Sequence, residues 1–399
     1  MRLFGITLWI ALTAGAMCAQ EPCSAGRTSV PLPVQGAGYG LEGVHVGGGP
    51  RRMVQIDTGS TGLVIGYMHI GGTPVPLSAK ELEQFQLAPD HIAYNSSGNV
   101  PVGTWVWTSV KVAGAKPVII PRVPVLSVRR MCQALPDGTT PEPACLALPP
   151  VPNACGDAPD HATVAVCELG MMGVGFNRGP SMGTWQVNPF LNAQPMLDGT
   201  MQRGYIVTGQ GVRLGITERD LEGFELLPLT RIAAPYEWRQ ASGCVAITGG
   251  GVAEPGKPVC GNILIDTGVD KMFVSYATAA APAFEPPLSL PVDLWSCPRP
   301  LAKPPTRACT SVRAPVSVRV TWPNAASPVM EYSVSTPSRF SPAGVTPSQL
   351  HVRATSSLPE PGAQVFVNTG RQFLQTADYL YDATCGRIGF RRPPANRRR

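Results

Sequence analysis

Two tripeptides of one kind carry the chemistry open to this chain: Asp57-Thr58-Gly59 and Asp266-Thr267-Gly268. An Asp at the end of an apolar strand is costly to ionise unless donors or an opposite charge compensate it. Gly lacks a Cβ, so the backbone can approach closely and turn main-chain N–H groups onto the carboxylate. The Thr hydroxyl adds a donor and an acceptor that can tie two such turns together. Two carboxyls held face to face cannot both ionise, so they share a proton. One can then act as general base on a water while the other, protonated, donates to a carbonyl oxygen. That is amide hydrolysis without a metal or a covalent intermediate.

The elements around the two tripeptides repeat as well. Residues 53–65 read MVQIDTGSTGLVI and residues 262–274 read NILIDTGVDKMFV. Each is an apolar strand, Asp-Thr-Gly, a short connector and a second apolar strand. At average composition a single such tripeptide arises by chance about once in ten chains of this length. Two copies in matching frames point instead to a duplicated lobe.

Gly and Pro number 43 each, which breaks long helices and supplies turns. Period-two alternation at 41–46, 105–112 and 316–322 predicts strands. Pro-rich stretches at 148–152 and 297–305 read as loops. Helical periodicity is confined to short candidates at 78–86 and 369–376. The expected class is therefore all-β, mainly β with a few short helices.

Residues 1–19 have the pattern of a cleavable signal peptide, with Arg2, an apolar run and then small residues. Met17 sits where a lipoprotein signal ending at Cys18 wants a small residue, and no later segment offers about 20 consecutive apolar residues. A secreted or periplasmic location without an integral membrane segment is expected. Export suits the remaining ten cysteines, an even number with no C-x-x-C pair, which predicts disulfides. Cys244 is expected to pair with Cys260 across a Gly-rich hairpin and Cys297 with Cys309 across a Pro-rich loop, while the group from Cys132 to Cys167 stays unassigned. The formal charge of +6 partly reflects Arg397, Arg398 and Arg399 in a basic tail at 391–399. No basic stripe or aromatic-plus-basic motif accompanies it, so no nucleic-acid partner is expected. The five histidines are scattered without H-E-x-x-H spacing, and neither metal nor cofactor is expected.

From about Gly38 to Phe390 the chain resembles the pepsin-like aspartic peptidases. Tyr39-Gly40-Leu41 through Gly47 resembles the family's first strand, and Ile92-Ala93-Tyr94 the start of its flap hairpin. Residues 170–175 (GMMGVG) are similar to the apolar-apolar-Gly element after the first lobe's loop. Residues 212–216, 223–224 and 227–229 resemble the opening of the second lobe, and Tyr236-Glu237-Trp238 the strand before the second Asp-Thr-Gly. Residues 379–382 and 387–390 resemble the terminal strands. The resemblance implies a bilobal double β-barrel with an active-site cleft between lobes at 20–203 and 204–390. It implies a monomeric endopeptidase acting on extended peptides, with Asp57 and Asp266 catalytic. Thr58, Gly59, Ser60, Thr267 and Gly268 would support the dyad, and Tyr94 would be the flap tyrosine.

Three positions depart from the family pattern. Val64 stands where a Trp often braces the flap tyrosine, so that Trp105 or Trp107 is expected to take over. Val269 stands where Thr or Ser usually follows the second Asp-Thr-Gly, and Asn368-Thr369-Gly370 is a polar version of the second apolar-apolar-Gly element. Because Val269 cannot donate to the outer oxygen of Asp266 as Ser60 can to Asp57, the shared proton is expected more often on Asp266. About twenty residues separate the expected cleavage point from the first strand, too few for the family's basic prosegment, so synthesis without one is expected.

Two rival readings stand beside this one. Residues 179–183 (GPSMG) match G-x-S-x-G with His351 downstream, a Ser181 hydrolase pattern, yet no strand-turn-helix frame or βαβ alternation surrounds it. A pepsin-fold binding protein without catalysis is the other. Asn95-Ser96-Ser97 matches a glycosylation acceptor or a plain hairpin tip.

Overall fold

The computed structural model describes residues 23, 26–36, 39–94, 97–135, 140–147, 166–179, 181–233, 235–249, 257–277, 316–322, 330–334, 350–355, 358 and 362–392. The chain is mainly β with a few short helices, and it is bilobal. No helix among these residues is long and apolar enough to cross a membrane.

Two sheets repeat one plan around the two Asp-Thr-Gly turns. In the eight-stranded sheet, Gly170–Val174 lies between the two strands that flank the first turn. It runs parallel to Arg52–Asp57, with Asp57 opposite Gly173, and antiparallel to Thr61–Gly66. In the seven-stranded sheet, Val365–Asn368 lies parallel to Val259–Leu264, with Asn368 opposite Leu264, and antiparallel to Met272–Ala277. The outer neighbours match too, because Thr61–Gly66 runs parallel to Val118–Gln133 and Met272–Ala277 runs parallel to Leu350–Thr355. Thr61–Gly66, with a parallel neighbour, is buried along its whole length, which is why it reads as a nearly continuous apolar run. The duplicated sequence frame is thus a duplicated strand topology.

A six-stranded antiparallel sheet joins the two halves, in the order Val30–Leu32, Gly211–Leu214, Gly204–Thr208, Asp378–Asp382, Arg387–Arg391, Glu225–Pro228. One apolar core runs through all three sheets and includes Ile56, Val174, Tyr205, Ile265, Phe373 and Phe390. The Phe176 ring stacks on Tyr381 with centroids 4.1 Å apart, fixing the chain beyond Gly170–Val174 to the joining sheet. A second apolar cluster holds Val64, Ile92, Tyr94, Trp105 and Val187.

The predicted strands at 41–46 and 105–112 fall within Gly40–Val46 and Asn99–Val112, and the one at 316–322 is Val316–Thr321, one residue shorter. The helix expected at 78–86 is Ala79–Gln84, opened by a reciprocal Ser78–Glu81 capping box. The helix expected at 369–376 is a 3-10 turn, Arg371–Gln375, because Gly370 at φ 64° turns the chain before it. Cys244 and Cys260 face each other across antiparallel strands and are bonded, and Cys132–Cys145 and Cys23–Cys385 are further disulfides. The expected signal at 1–19, Cys297 and Cys309, Asn95, the loops at 148–152 and 297–305 and the tail from 393 lie outside the described residues.

Candidate active site

Each Asp-Thr-Gly turn is tied to the other through its threonine. The Thr58 N–H donates to Thr267 Oγ1 and the Thr267 N–H donates to Thr58 Oγ1, both at 3.1 Å. The Thr58 hydroxyl donates onward to the Ile265 carbonyl and the Thr267 hydroxyl to the Ile56 carbonyl, both at 2.7 Å. Four buried polar groups are thereby satisfied across the lobe boundary, which an apolar side chain at either position could not do. Gln55 adds a third tie, with its Nε2 donating to the Gly268 carbonyl at 3.0 Å.

This brace sets the two carboxyls against each other. A Cβ built at Gly59 would overlap Asp266 Cγ, and one at Gly268 would lie 2.5 Å from Asp57 Cγ. Glycine is needed there because the opposite lobe's carboxyl occupies the space a side chain would take. Asp57 and Asp266 are each 4% exposed, and each carboxyl lies against the glycine of the opposite turn, close enough for the Asp266 charge to act on Asp57.

The donors around the pair are arranged in parallel. Gly59 N–H donates to Asp57 Oδ1 at 2.6 Å, and Gly268 N–H donates to Asp266 Oδ1 at 2.8 Å. On the outer side the Ser60 hydroxyl donates to Asp57 Oδ2 at 2.5 Å. The expectation that Asp266 lacks an outer donor is overturned: Asn368 Nδ2 donates to Asp266 Oδ2 at 2.6 Å. Val269 indeed offers nothing, but the donor comes from the parallel strand, 102 residues away in the chain. Burial first, and then the Asp266 charge, hold the Asp57 carboxyl well above the usual carboxylate range, against the pull of Ser60 and the Gly59 N–H.

Arg178 is a further neighbour. Its Nε donates to the Gly59 carbonyl at 2.6 Å, and its charge acts on Asp266, Asp57 and Tyr379. Burial lowers its pKa and the two carboxylates raise it, and a guanidinium stays charged through such an offset.

Tyr94 is buried with Val64 and Trp105. Its hydroxyl faces Ser60 and Asp57, and burial followed by the Asp57 charge hold its pKa well above the usual tyrosine value, so it stays a neutral O–H. Ser60 is near enough to offset that burial in part, although the hydroxyl forms no hydrogen bond of full geometry among the described residues. The Trp105 and Trp107 ring N–H groups are not its partners. Trp105 donates to the Ala88 carbonyl at 2.9 Å and Trp107 to Glu81 Oε1 at 2.9 Å. Trp105 contributes packing alone, since Val64 leaves room for its ring.

Ser181 and His351 belong to different parts of the fold. Ser181 bridges to Leu87, and the strand bearing His351, Leu350–Thr355, is in the seven-stranded sheet. Among the described residues Ser181 is followed by two 3-10 turns, Trp185–Val187 and Phe190–Asn192, and a four-residue helix, Gln194–Leu197, and does not itself open the helix a nucleophile elbow needs.

Sequence reasoning missed Arg178 and saw Asn368 only as a departure. The signal for Asn368 was present, since a polar side chain ending an apolar strand must find a partner when buried.

No family model and no curated protein matches the chain. Among solved structures it is similar to an aspartic proteinase from Irpex lacteus, with 14% identity, a TM-score of 0.47, and coverage of 92% of this chain and 97% of that one. At that identity and score the likeness adds nothing to what the geometry carries.

Proposed function

We propose that this chain is an aspartic endopeptidase in which Asp57 and Asp266 activate one water for attack on a peptide carbonyl. The single observation that carries the reading is the close approach of two buried carboxyls, each lying against the other turn's glycine, each held by its own glycine N–H and braced through Thr58 and Thr267.

With one proton on the pair, the ionised carboxylate takes a proton from water as the water oxygen bonds to the carbonyl carbon. The protonated carboxyl gives its proton to the carbonyl oxygen, leaving a neutral gem-diol. In the second half a diol hydroxyl returns a proton to the carboxylate just emptied. The other carboxyl protonates the amide nitrogen, and the C–N bond breaks. Protons balance, and the pair regains its starting state.

The lobes at 20–203 and 204–390 would grip an extended peptide between them, with Tyr94 of the flap above it. One chain supplies both carboxyls, so a monomer suffices. The disulfides Cys23–Cys385, Cys132–Cys145 and Cys244–Cys260 favour a secreted or periplasmic setting.

The test is digestion of a denatured protein at about pH 3 to 5, around the ordinary carboxylate range, with pepstatin as inhibitor and Asp57→Asn as control. Cleavage that pepstatin stops and Asp57→Asn lacks is expected. Cleavage surviving the substitution would reject the assignment, and pepstatin binding without any cleavage would favour the non-catalytic pepsin-fold binder.

A further inference from the structure

We infer that Asn368 is a positioning residue that keeps Asp266 as the ionised member of the pair and so assigns the general-base role to Asp266 and the proton-donor role to Asp57. The inference deepens the proposed peptidase reading and rests on it for those roles.

The orientation of the Asn368 amide is determined by its neighbours. Its Oδ1 accepts the Gly370 N–H at 3.0 Å, so the other end of the amide, the NH2, must face Asp266. Asn368 is 4% exposed and lies on the strand Val365–Asn368, parallel to Val259–Leu264, where Thr369 N–H donates to the Leu264 carbonyl at 2.9 Å. A second backbone bond, from Arg371 N–H to the Val269 carbonyl at 2.8 Å, clamps the segment after Asn368 to the loop after Asp266. A reversed amide would set its NH2 against the Gly370 N–H and its oxygen against the Asp266 carboxyl.

An NH2 donates and never accepts. Asp266 therefore meets two fixed N–H donors, Gly268 on Oδ1 and Asn368 on Oδ2. Such bonds favour the charged carboxylate, and a charge-assisted one is stronger than a neutral one. Asp57 meets one fixed N–H donor, Gly59, and one hydroxyl, Ser60. A hydroxyl can turn and accept, so Asp57 can hold a proton without leaving two donors opposed.

Of the other charged groups around the pair, Arg178 acts on both carboxyls and more on Asp266, in the same direction as the Asn368 amide. The Tyr94 and Tyr205 hydroxyls, which feel Asp57, stay neutral. The two departures at Val269 and Asn368 are thus one device: the donor lost from the turn is supplied by the facing strand.

The test is a cycle of Asn368→Val, Val269→Thr and the double variant. Two readouts are taken: the pH–rate profile, and titration of the carboxyl carbons in protein labelled with carbon-13 at Asp. Asn368→Val should raise the lower of the two apparent pKa values, and with it the acid limb, by about one to two pH units. In the double variant the introduced threonine hydroxyl restores a donor, and the limb should return most of the way. Val269→Thr alone should move it little, because Oδ2 is already bonded. A purely structural role for Asn368 would lower rate or stability without moving the limb, and that result would overturn the inference. If Asn368→Val does not fold, Val269→Thr decides alone: a full downward shift would mean that Oδ2 had no donor. If the wild type cleaves nothing, the carboxyl titration still reads the asymmetry, so failure of the peptidase reading and failure of this inference are separable.

Discussion

Thr58 and Thr267 exchange hydrogen bonds, each receiving the other's backbone N–H on its hydroxyl while donating to a carbonyl of the opposite turn. Each turn is therefore built by the other lobe. Replacing Thr58 by Val keeps the shape but leaves the Thr267 N–H and the Ile265 carbonyl unpaired. Each orphaned group costs about 1–3 kcal/mol, so a drop of several kcal/mol in urea unfolding is expected. Thr58→Ser should recover most of it, and because Thr267→Val orphans a different pair, the Thr58 N–H and the Ile56 carbonyl, the Thr58→Val/Thr267→Val double variant should cost about the sum of the singles. A Thr58→Val variant as stable as wild type would mean that the hydroxyl does not brace the turns.

The glycines of the two turns face carboxyls. Gly59→Ala or Gly268→Ala drives a methyl into the opposite carboxyl. The carboxyls must separate, and kcat should fall by about 100-fold or more with a smaller loss of stability. A variant with normal kcat would show that close approach of the pair is dispensable.

Asp57 links activity to stability with opposite sign. Its folded pKa lies above the ordinary value. Below about pH 4 both the folded and the unfolded chain hold the proton. Between there and the raised folded value only the folded chain binds it, so stability falls as pH rises. Asp57→Asn removes that penalty. The variant should be inactive yet more stable than wild type at pH 7 by about 1 kcal/mol or more, with the gain shrinking toward pH 4. Melting curves at several pH values check this, and a gain that grew on acidification would contradict it.

Arg178 places a cation near both carboxylates. Arg178→Gln should raise both apparent pKa values and move both limbs of the pH–rate profile to higher pH by about one unit. Asn368→Val, by contrast, should move chiefly the acid limb. Equal profiles before and after the Arg178 change would show that the guanidinium only supports the Gly59 carbonyl.

Tyr94 carries a buried hydroxyl without a full hydrogen bond among the described residues. Tyr94→Phe should leave the melting temperature unchanged or raise it, since the desolvated O–H is removed. Tyr94→Ala should cost about 3 kcal/mol or more through the void left beside Val64 and Trp105. A large loss on Tyr94→Phe would mean that the hydroxyl has a partner the geometry does not reveal.

What the sequence determined by itself is local. Apolar alternation, the Asp-Thr-Gly turns and their repetition act within a dozen residues, so the β class, the two lobes and the Cys244–Cys260 pairing could be read from residue order. The partners of those turns could not. Asn368 reaches Asp266 across 102 residues, Gln55 reaches Gly268 across 213 and Cys23 reaches Cys385 across 362. Strand register decides such pairings, and a slip of one residue would turn Asn368 to the other face of its sheet. The tertiary structure therefore decided which donors meet each carboxyl, because they converge from distant strands, and residue order alone does not specify how distant strands align.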